Sequence, residues 1–355
     1  MRFFRGSIFS ADQFQRASRA HPFEGEQVDL DVSVIIVSYN TRDVTVQAVG
    51  SVLENAGALQ VEVIVVDNAS EDDSAKAVRE AYPRARVISS GHNGGYGWGN
   101  NIGIAQARGR YVLVLNPDAL MHAGTLEKAV AYLDAHLQVG ILGAKVTYET
   151  GAQQSTLFRD LRLSHLFWRI AVPNQAIRET SLFGDQRYAS RGRDSIQDVE
   201  VVAGCFMMLP RLVIEQVGAM DDRFFMYSEE SEWCWRVRRA GFVVRYHPDI
   251  TITHYGAVST GESSPWKSKE IAKGHILYLR FTRSPAVAWL GTILMWLGEA
   301  LRGVVLIPLF LIGRKRAAME IWKARMGLLS RALLRQPRGQ QPLVCPSPAL
   351  RNSVP

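Results

Sequence analysis

The chain reads as an α/β protein with a mostly parallel central sheet and apolar and amphipathic helices at its C-terminal end. Three observations predict this. Short, wholly apolar runs of strand length recur between Val34 and Leu115, and helical stretches separate them. A nearly continuous apolar stretch over 286–313 is then followed by a basic, amphipathic segment. Strands that are apolar on both faces and alternate with helices need helices on both sides, the usual setting of a parallel sheet. Ligands in such sheets bind beyond the carboxyl ends of the strands, so chemistry is sought in the residues that follow each strand.

Val34-Ile35-Ile36-Val37 is the first strand and ends in Ser38-Tyr39-Asn40, before a helix predicted over 43–55. The second strand, over 61–66, ends in Asp67-Asn68-Ala69-Ser70. A carboxylate there can accept hydrogen bonds from a base or a ribose, and it can equally cap or turn into the helix predicted over 72–81. After the third strand, Arg86-Val87-Ile88, comes the segment from His92 to Asn101. Its glycines allow close backbone approach to a phosphate or sugar at a helix start. It holds G-x-G but not G-x-G-x-x-G, because residue 100 is Asn, and it follows the wrong strand for a dinucleotide fingerprint. An NAD enzyme is therefore disfavoured.

The fourth strand, over 111–115, runs into Asn116-Pro117-Asp118. That carboxylate suits a hard divalent cation shared with phosphates, and the same tripeptide also suits an Asx-Pro turn. The segment over 147–197 is Arg-rich and irregular, either an acceptor-side insert or a helical excursion. Farther on, Phe224-Phe225-Met226-Tyr227-Ser228 leads into a helix with Glu229, Glu230 and Glu232 in its first turn. Acids there stabilise the helix dipole, and Glu232 can pair with Arg236 four residues on. Glu229 and Glu230, beside an aromatic run, have the setting of a general base with a raised pKa. A strand ending in Ile252-Thr253-His254 supplies an imidazole that serves either as a metal ligand or structurally.

Composition narrows the class. The 355 residues are 47% hydrophobic and 21% charged, which excludes disordered, collagen-like and disulfide-scaffold chains. The net charge of +7 is unevenly placed: residues from Arg314 onward carry nine Lys or Arg against one acid, leaving the rest close to neutral. A neutral body argues against nucleic acid as a partner. Cys205, Cys234 and Cys345 are too scattered for a disulfide frame or zinc site and read as reduced thiols. Residues 1–31 lack the apolar core of a secretory signal, so export of the body is not expected.

The 286–313 stretch is just long enough to span a bilayer, but Glu299 and Arg302 are costly at its centre. A buried helix pair is the alternative. Trp322, Met326, Leu329 and Leu333 then fall on one helical face with basic residues at the sides, the pattern of a helix lying in a membrane interface. Together with the basic tail this favours attachment to an anionic, cytoplasmic membrane surface over a soluble cap.

Taken in order, these pieces resemble the family 2 glycosyltransferases with a GT-A fold, in particular their bacterial rhamnosyltransferase-like branch. The matching residues are Val34 to Asn40, Val65 to Ser70, Asn93 to Gly97 with Asn100 to Gly103, and Leu115 to Asp118. They continue with Ala203 to Met208, Phe224 to Tyr227, the acidic helix over 229–236, and His254. The resemblance covers about 32–260.

The resemblance implies an inverting, metal-assisted transferase that moves a sugar from a nucleotide donor. By analogy Ser38, Tyr39, Asn40 and Asp67 line the nucleotide pocket, and Asn93 and Asn101 hold the nucleotide and pyrophosphate. Asp118 matches the last acid of the family's D-x-D motif, with His254 as the late metal ligand and Mg²⁺ or Mn²⁺ as the ion. Glu230 matches the catalytic base, with Glu229 as the fallback. Asn116 stands where the first acid of the motif usually lies, and Glu replaces the usual Asp at 230. The extra methylene moves that carboxylate by about one C–C bond, which matters to a near-attack geometry.

The branch points to L-rhamnose from dTDP-rhamnose, with a UDP-sugar as the other donor class, and to a glycan or lipid-linked glycan acceptor in cell-envelope polysaccharide synthesis. The expected divisions are an extension over 1–31, the transferase domain over 32–260, a connecting helix over 261–285, a membrane-associated segment over 286–313 and a basic helix and tail over 314–355. An oligomer is compatible with this plan. Two other classes compete: a catalytically degenerate membrane scaffold, and a nucleotidyltransferase on a related fold. The latter usually has a Gly-rich basic loop after the first strand, where this chain has Ser38-Tyr39-Asn40-Thr41.

Overall fold

The structure, a computed structural model, describes residues 30–172, 194–256, 264–311 and 316–334. Most of the expected N-terminal extension, residues 173–193 of the Arg-rich segment and the tail beyond 334 lie outside the described residues.

The first half is a run of strand–helix units: β1 (Val32–Ser38), α1 (Arg42–Glu54), β2 (Val61–Asp67), α2 (Ser74–Ala81), β3 (Arg86–Ser89), α3 (Tyr96–Gln106) and β4 (Tyr111–Leu115). There follow β5 (Ala119–Met121), α4 (Thr125–Ala135), β6 (Val139–Thr147), β7 (Leu157–Phe158), α5 (Leu163–Ala171), β8 (Gln197–Val199) and β9 (Val201–Val202). The catalytic-side elements are β10 (Phe206–Pro210), α6 (Arg211–Val217), α7 (Glu229–Arg239) and β11 (Val243–His254). Three helices end the described chain: α8 (Pro265–Thr282), α9 (Pro285–Leu311) and α10 (Arg316–Leu334).

The main sheet has the order β3-β2-β1-β4-β10-β6-β11-β5, with β8 also on β11. β3, β2, β1 and β4 are parallel; β10 then enters antiparallel between β4 and β6, and β6 pairs parallel with β11. All seven residues of β1 are buried, as its apolar run predicts for a central strand. Alternation sends Val34 and Ile36 to the face covered by α1 and α4, and Ile35 and Val37 to the face covered by α3 and α7. Trp233 of α7 is fully buried there, its indole N–H donating to the Gly218 carbonyl at 3.0 Å.

The irregular segment after β6 contains both things its sequence allowed: loop, and a helix, α5, that carries Leu166-Phe167-Trp168. Leu161, Leu166, Ile276, Leu279, Ala288, Met295 and Leu329 form a third core, between α5 and the C-terminal helices. α9 is a single continuous helix, not a pair, and by length and composition it could cross a membrane. The apolar face of α10, expected to lie in a membrane interface, is instead docked on protein. Leu329 is fully buried, the Trp322 ring lies against Gly303, and its indole N–H donates to the Glu299 carbonyl at 2.7 Å.

Asp160 joins the two halves. This buried carboxylate accepts from Arg238 of α7 and from the Tyr278 hydroxyl of α8 at 2.9 Å, and Arg283 approaches to 3.6 Å. Asp160→Asn leaves these buried cations without their countercharge. Because both arginines are about a quarter exposed, the expected loss is about 2–3 kcal/mol, below the full value for breaking a buried pair. Urea unfolding of the variant measures it.

Candidate active site

The loops after β1, β2 and β3 are joined in series to the loop before α7, through Asn40 with Ser70, Asn68 with Gly95 and Gly95 with Phe225, and the backbone there is unusually strained. Asn40, Ala69, Asp73, Tyr227 and Ser228 all have positive φ without being glycine. Such residues cost about 1–3 kcal/mol each and persist where packing over-determines them. Here the packing is visible. Gly95 sits with φ +94 and its Cβ position lies 2.1 Å from the Phe225 carbonyl oxygen, which also accepts from the Tyr96 N–H at 2.8 Å. Only glycine fits that approach. On the other side, a Cβ on Gly274 of α8 would lie 2.4 Å from the Tyr227 carbonyl oxygen. The left-handed pair Tyr227–Ser228 is thus clamped between α3 and α8, and this pair aims the first turn of α7.

Glu229 and Glu230 stand on that turn. Glu229 is buried, and its Oε2 has no hydrogen-bond partner. Burial raises its pKa well above the usual carboxylate range, and repulsion from Glu230 adds to this. Burial also raises Glu230, whose Oε1 accepts from the Ser231 hydroxyl at 3.3 Å. Glu232 has the structural role expected of it, pairing with Arg236 at 2.7 Å. Gly97 and Gly204 pack beside the two acids, their Cβ positions at van der Waals distance, 3.7 Å and 3.8 Å, from Glu229 Cβ and Glu230 Cβ.

A second acidic pole lies near Cys205. Asp118 is buried, with Oδ1 3.1 Å from His254 Nε2, and the Tyr255 N–H donates to its carbonyl at 3.0 Å. The pairing of β11 with β5, His254 opposite Ala119, sets that approach. Burial pushes the Cys205 thiol up to about 12, and both Asp118 and Glu230 contribute to the rise, so the two poles share one neighbourhood.

Gln154 orients the imidazole. Its Nε2 faces the His254 and Thr147 carbonyls, which assigns its Oε1 as the acceptor of His254 Nδ1–H at 3.0 Å. The Nε2 lone pair then points between the Asn116 amide, 3.1 Å away, and the Asp118 carboxylate. In the tautomer so fixed, Nε2 accepts from the Asn116 amide beside the carboxylate, and a divalent ion held by Asp118 and this imidazole, completed by phosphate oxygens, would take the place of that contact. These two residues therefore fit the metal expected from sequence, although no cluster of three or more His, Cys, Asp or Glu occurs among the described residues. Gln154 lies in the irregular segment and carries no local sequence signal for this role.

The nucleotide-side residues divide. Tyr39 is 40% exposed, and Asp67 accepts only two long contacts of 3.4 Å from the Ser70 N–H, leaving acceptor capacity. Asn40 ties the two loops together, donating through its N–H to Ser70 Oγ and accepting from the Glu71 N–H at 2.8 Å. Asn93 Oδ1 accepts from the Gly95 N–H at 3.1 Å and shapes the glycine turn.

Two expected ligand residues are occupied elsewhere. The Ser38 hydroxyl is fully buried among Thr41 and Thr45 at 3.1 and 3.0 Å, facing α1. Both amide atoms of Asn101 are bonded to the Met220 backbone, at 2.8 and 2.9 Å. Sequence reasoning also missed Asn68, which is buried, donates to the Gly95 carbonyl at 3.0 Å and has no partner for Oδ1.

Two outcomes follow from this geometry. Gly274→Ala should push the Tyr227–Ser228 turn and lower turnover at least tenfold, with a smaller change in donor KM, as read by steady-state kinetics. The raised carboxyls also make stability fall with rising pH, because the folded state binds protons more tightly than the unfolded chain. The loss starts near the unfolded glutamate value of about 4.3 and continues through the raised native values. Glu229→Gln should therefore gain stability over the wild type at pH 8 and show little difference at pH 4, measured as urea midpoints.

Residues 33–200 match the Glycosyl transferase family 2 model. The chain is 28% identical over 220 residues to the N-acetylglucosaminyl-diphospho-decaprenol L-rhamnosyltransferase of Mycobacterium tuberculosis, covering 57% of this chain and 68% of that protein. It is 26% identical over 239 residues to rhamnosyltransferase WbbL of Escherichia coli, covering 63% and 83%. Among solved structures, GalNAc-T7 with UDP, GalNAc and Mn²⁺ superposes with a TM-score of 0.50 at 14% identity, covering 70% of this chain and 48% of that one, a likeness of fold. Residues 33–200 thus match a family 2 glycosyltransferase domain, and the relatives support the bacterial rhamnosyltransferase-like branch of that family.

Proposed function

We propose that the chain transfers a sugar with inversion, L-rhamnose from dTDP-rhamnose, to a hydroxyl of a lipid-linked glycan at the cytoplasmic face of the plasma membrane, in cell-envelope polysaccharide synthesis. The observation that carries this reading is a pair of acidic groups near Cys205: Asp118 with His254 3.1 Å away, and Glu230 beside Glu229 on the first turn of α7. The names of the Mycobacterium tuberculosis and Escherichia coli relatives support rhamnose, and the first of them supports a lipid-diphosphate acceptor.

Asp67 and Tyr39 receive the nucleoside, the carboxylate accepting from the base or ribose and the ring offering a stacking face. Asn68 Oδ1 and the turn shaped by Asn93 lie along the path to the diphosphate. Asp118 and His254 hold Mg²⁺ or Mn²⁺, with Gln154 fixing the imidazole tautomer. When bound, that ion neutralises charge building on the diphosphate leaving group.

The acids divide the proton chemistry between them. Two neighbouring carboxyls in a buried site do not both ionise readily, so the pair holds on to a proton, and Glu230, the residue that matches the family's base, is assigned as the member that ionises. Glu230 takes the proton of the acceptor hydroxyl while that oxygen attacks the anomeric carbon. The bond to the donor phosphate breaks on the opposite face, and its electron pair leaves with the nucleoside diphosphate. Burial raises the pKa of Glu230, which strengthens it as a base.

Transfer and slow donor hydrolysis by the purified full chain, screened over dTDP-, UDP- and GDP-sugars with Mg²⁺ or Mn²⁺, tests the reading. Glu230→Gln should lower kcat by about 10²–10⁴-fold with little change in donor KM, as for loss of a general base. Asp118→Ala should abolish the response of rate to added metal. Transfer undiminished in both variants would sink the proposal.

A further inference from the structure

The long apolar helix α9 looks from its sequence like a membrane span, but the way α10 packs on it points elsewhere. The two run antiparallel: Gly303 meets Trp322, the Glu299 carboxylate meets Arg325 Nε at 2.8 Å, and Ser330 Oγ accepts from Trp296 Nε1 at 3.1 Å. The buried face of α9 carries Gly291, which packs on Leu279 and Leu166, then Met295, and Glu299 and Gly303, which meet α10. The opposite face is bare. Trp289, Leu297, Leu301, Val304, Val305 and Leu311 form one stripe at helical spacing, Val304 being 69% exposed and Leu311 76%.

We propose that α9 lies in the plane of an anionic lipid bilayer, inserting this stripe to about acyl-chain depth, with α10 folded back on its upper side and both ends of the hairpin on the side of the catalytic domain. This rests on the reading of the chain as a membrane-surface transferase and specifies how it attaches. A spanning α9 is incompatible with the observed packing. It would draw Glu320, Lys323, Arg325 and Arg331 of the docked α10 into hydrocarbon, where each charge is costly. Releasing α10 instead would strip Glu299, midway along α9, of its Arg325 partner.

Charge selects the lipid. Arg302 beside the stripe is half exposed, and nine of the ten charged residues from Arg314 onward are basic. Basic residues at a bilayer surface are drawn to anionic headgroups. A second copy of this chain would bring the same sign of charge to the contact, so lipid is the better match.

The full chain should sediment with vesicles containing phosphatidylglycerol and weakly with pure phosphatidylcholine. V304E/V305E, which changes two exposed positions, should weaken sedimentation at least tenfold while donor hydrolysis in solution stays unchanged. Equal sedimentation of wild type and variant overturns the proposal. So does a wild type that stays in the supernatant as a dimer which V304E/V305E converts to monomer, because a second copy then covers the stripe. The in-plane geometry has its own test: R316C, in a Cys345→Ser background, should resist a membrane-impermeant maleimide in intact spheroplasts and react after lysis. Labelling before lysis means that α9 spans, and overturns it. Donor hydrolysis is read separately throughout, so an inactive chain that still binds vesicles refutes the transferase reading and leaves the attachment intact.

Discussion

The left-handed pair Tyr227–Ser228 is the constraint on which the site depends. Two consecutive non-glycine residues at positive φ are held only because a β3–α3 glycine and an α8 glycine admit their backbone from either side. Gly95 receives the Phe225 carbonyl and Gly274 receives the Tyr227 carbonyl. A side chain at either position would collide with backbone, which cannot yield as a flexible side chain can. The turn in turn sets where Glu229 and Glu230 emerge. The C-terminal helices are therefore part of the site's support, and a change in how they seat would reach the acids through one helix.

The electrostatics follow from the same arrangement. Placing two glutamates at the N-terminus of a helix is favourable to a dipole, yet burying them is unfavourable, and burial dominates here: both carboxyl pKa values rise. Glu232, one step on, is raised by burial as well, but it has a cation that offsets part of the rise. Arg236 lies 2.7 Å away and the pair is further tied to the Val217 and Ala219 carbonyls. Three acids in one turn thus separate into one that stabilises and two that are held at a cost, a division expected of residues kept for chemistry.

Much of this was legible without coordinates. The four parallel strands, the loops that end them and the role of Glu232 follow from periodicity and spacing, and the pairing of Asp118 with His254 from the family resemblance. The misreadings have physical causes. Ser38 and Asn101 occur within matching motifs, but their hydrogen-bonding atoms are consumed by Thr41, Thr45 and the Met220 backbone, partners remote from any motif pattern. Gln154 and Asn68 were overlooked because a single amide side chain has no periodic signature. The apolar face of α10 was assigned to lipid because a sequence shows that a face must be covered, not by what.

Local chemistry is what the sequence by itself determined: which runs become strands, where carboxylates follow them, and that a basic, apolar C-terminal region exists. These depend on residues near one another in the chain. Tertiary structure alone decided what pairs across long separations: Gln154 with His254, Asp160 with Arg238 and Tyr278, Glu299 with Arg325. It also moved the exposed apolar surface from α10 to α9. Burial is a property of the packed chain, and one amphipathic face can be covered equally well by protein or by lipid until the fold makes the choice.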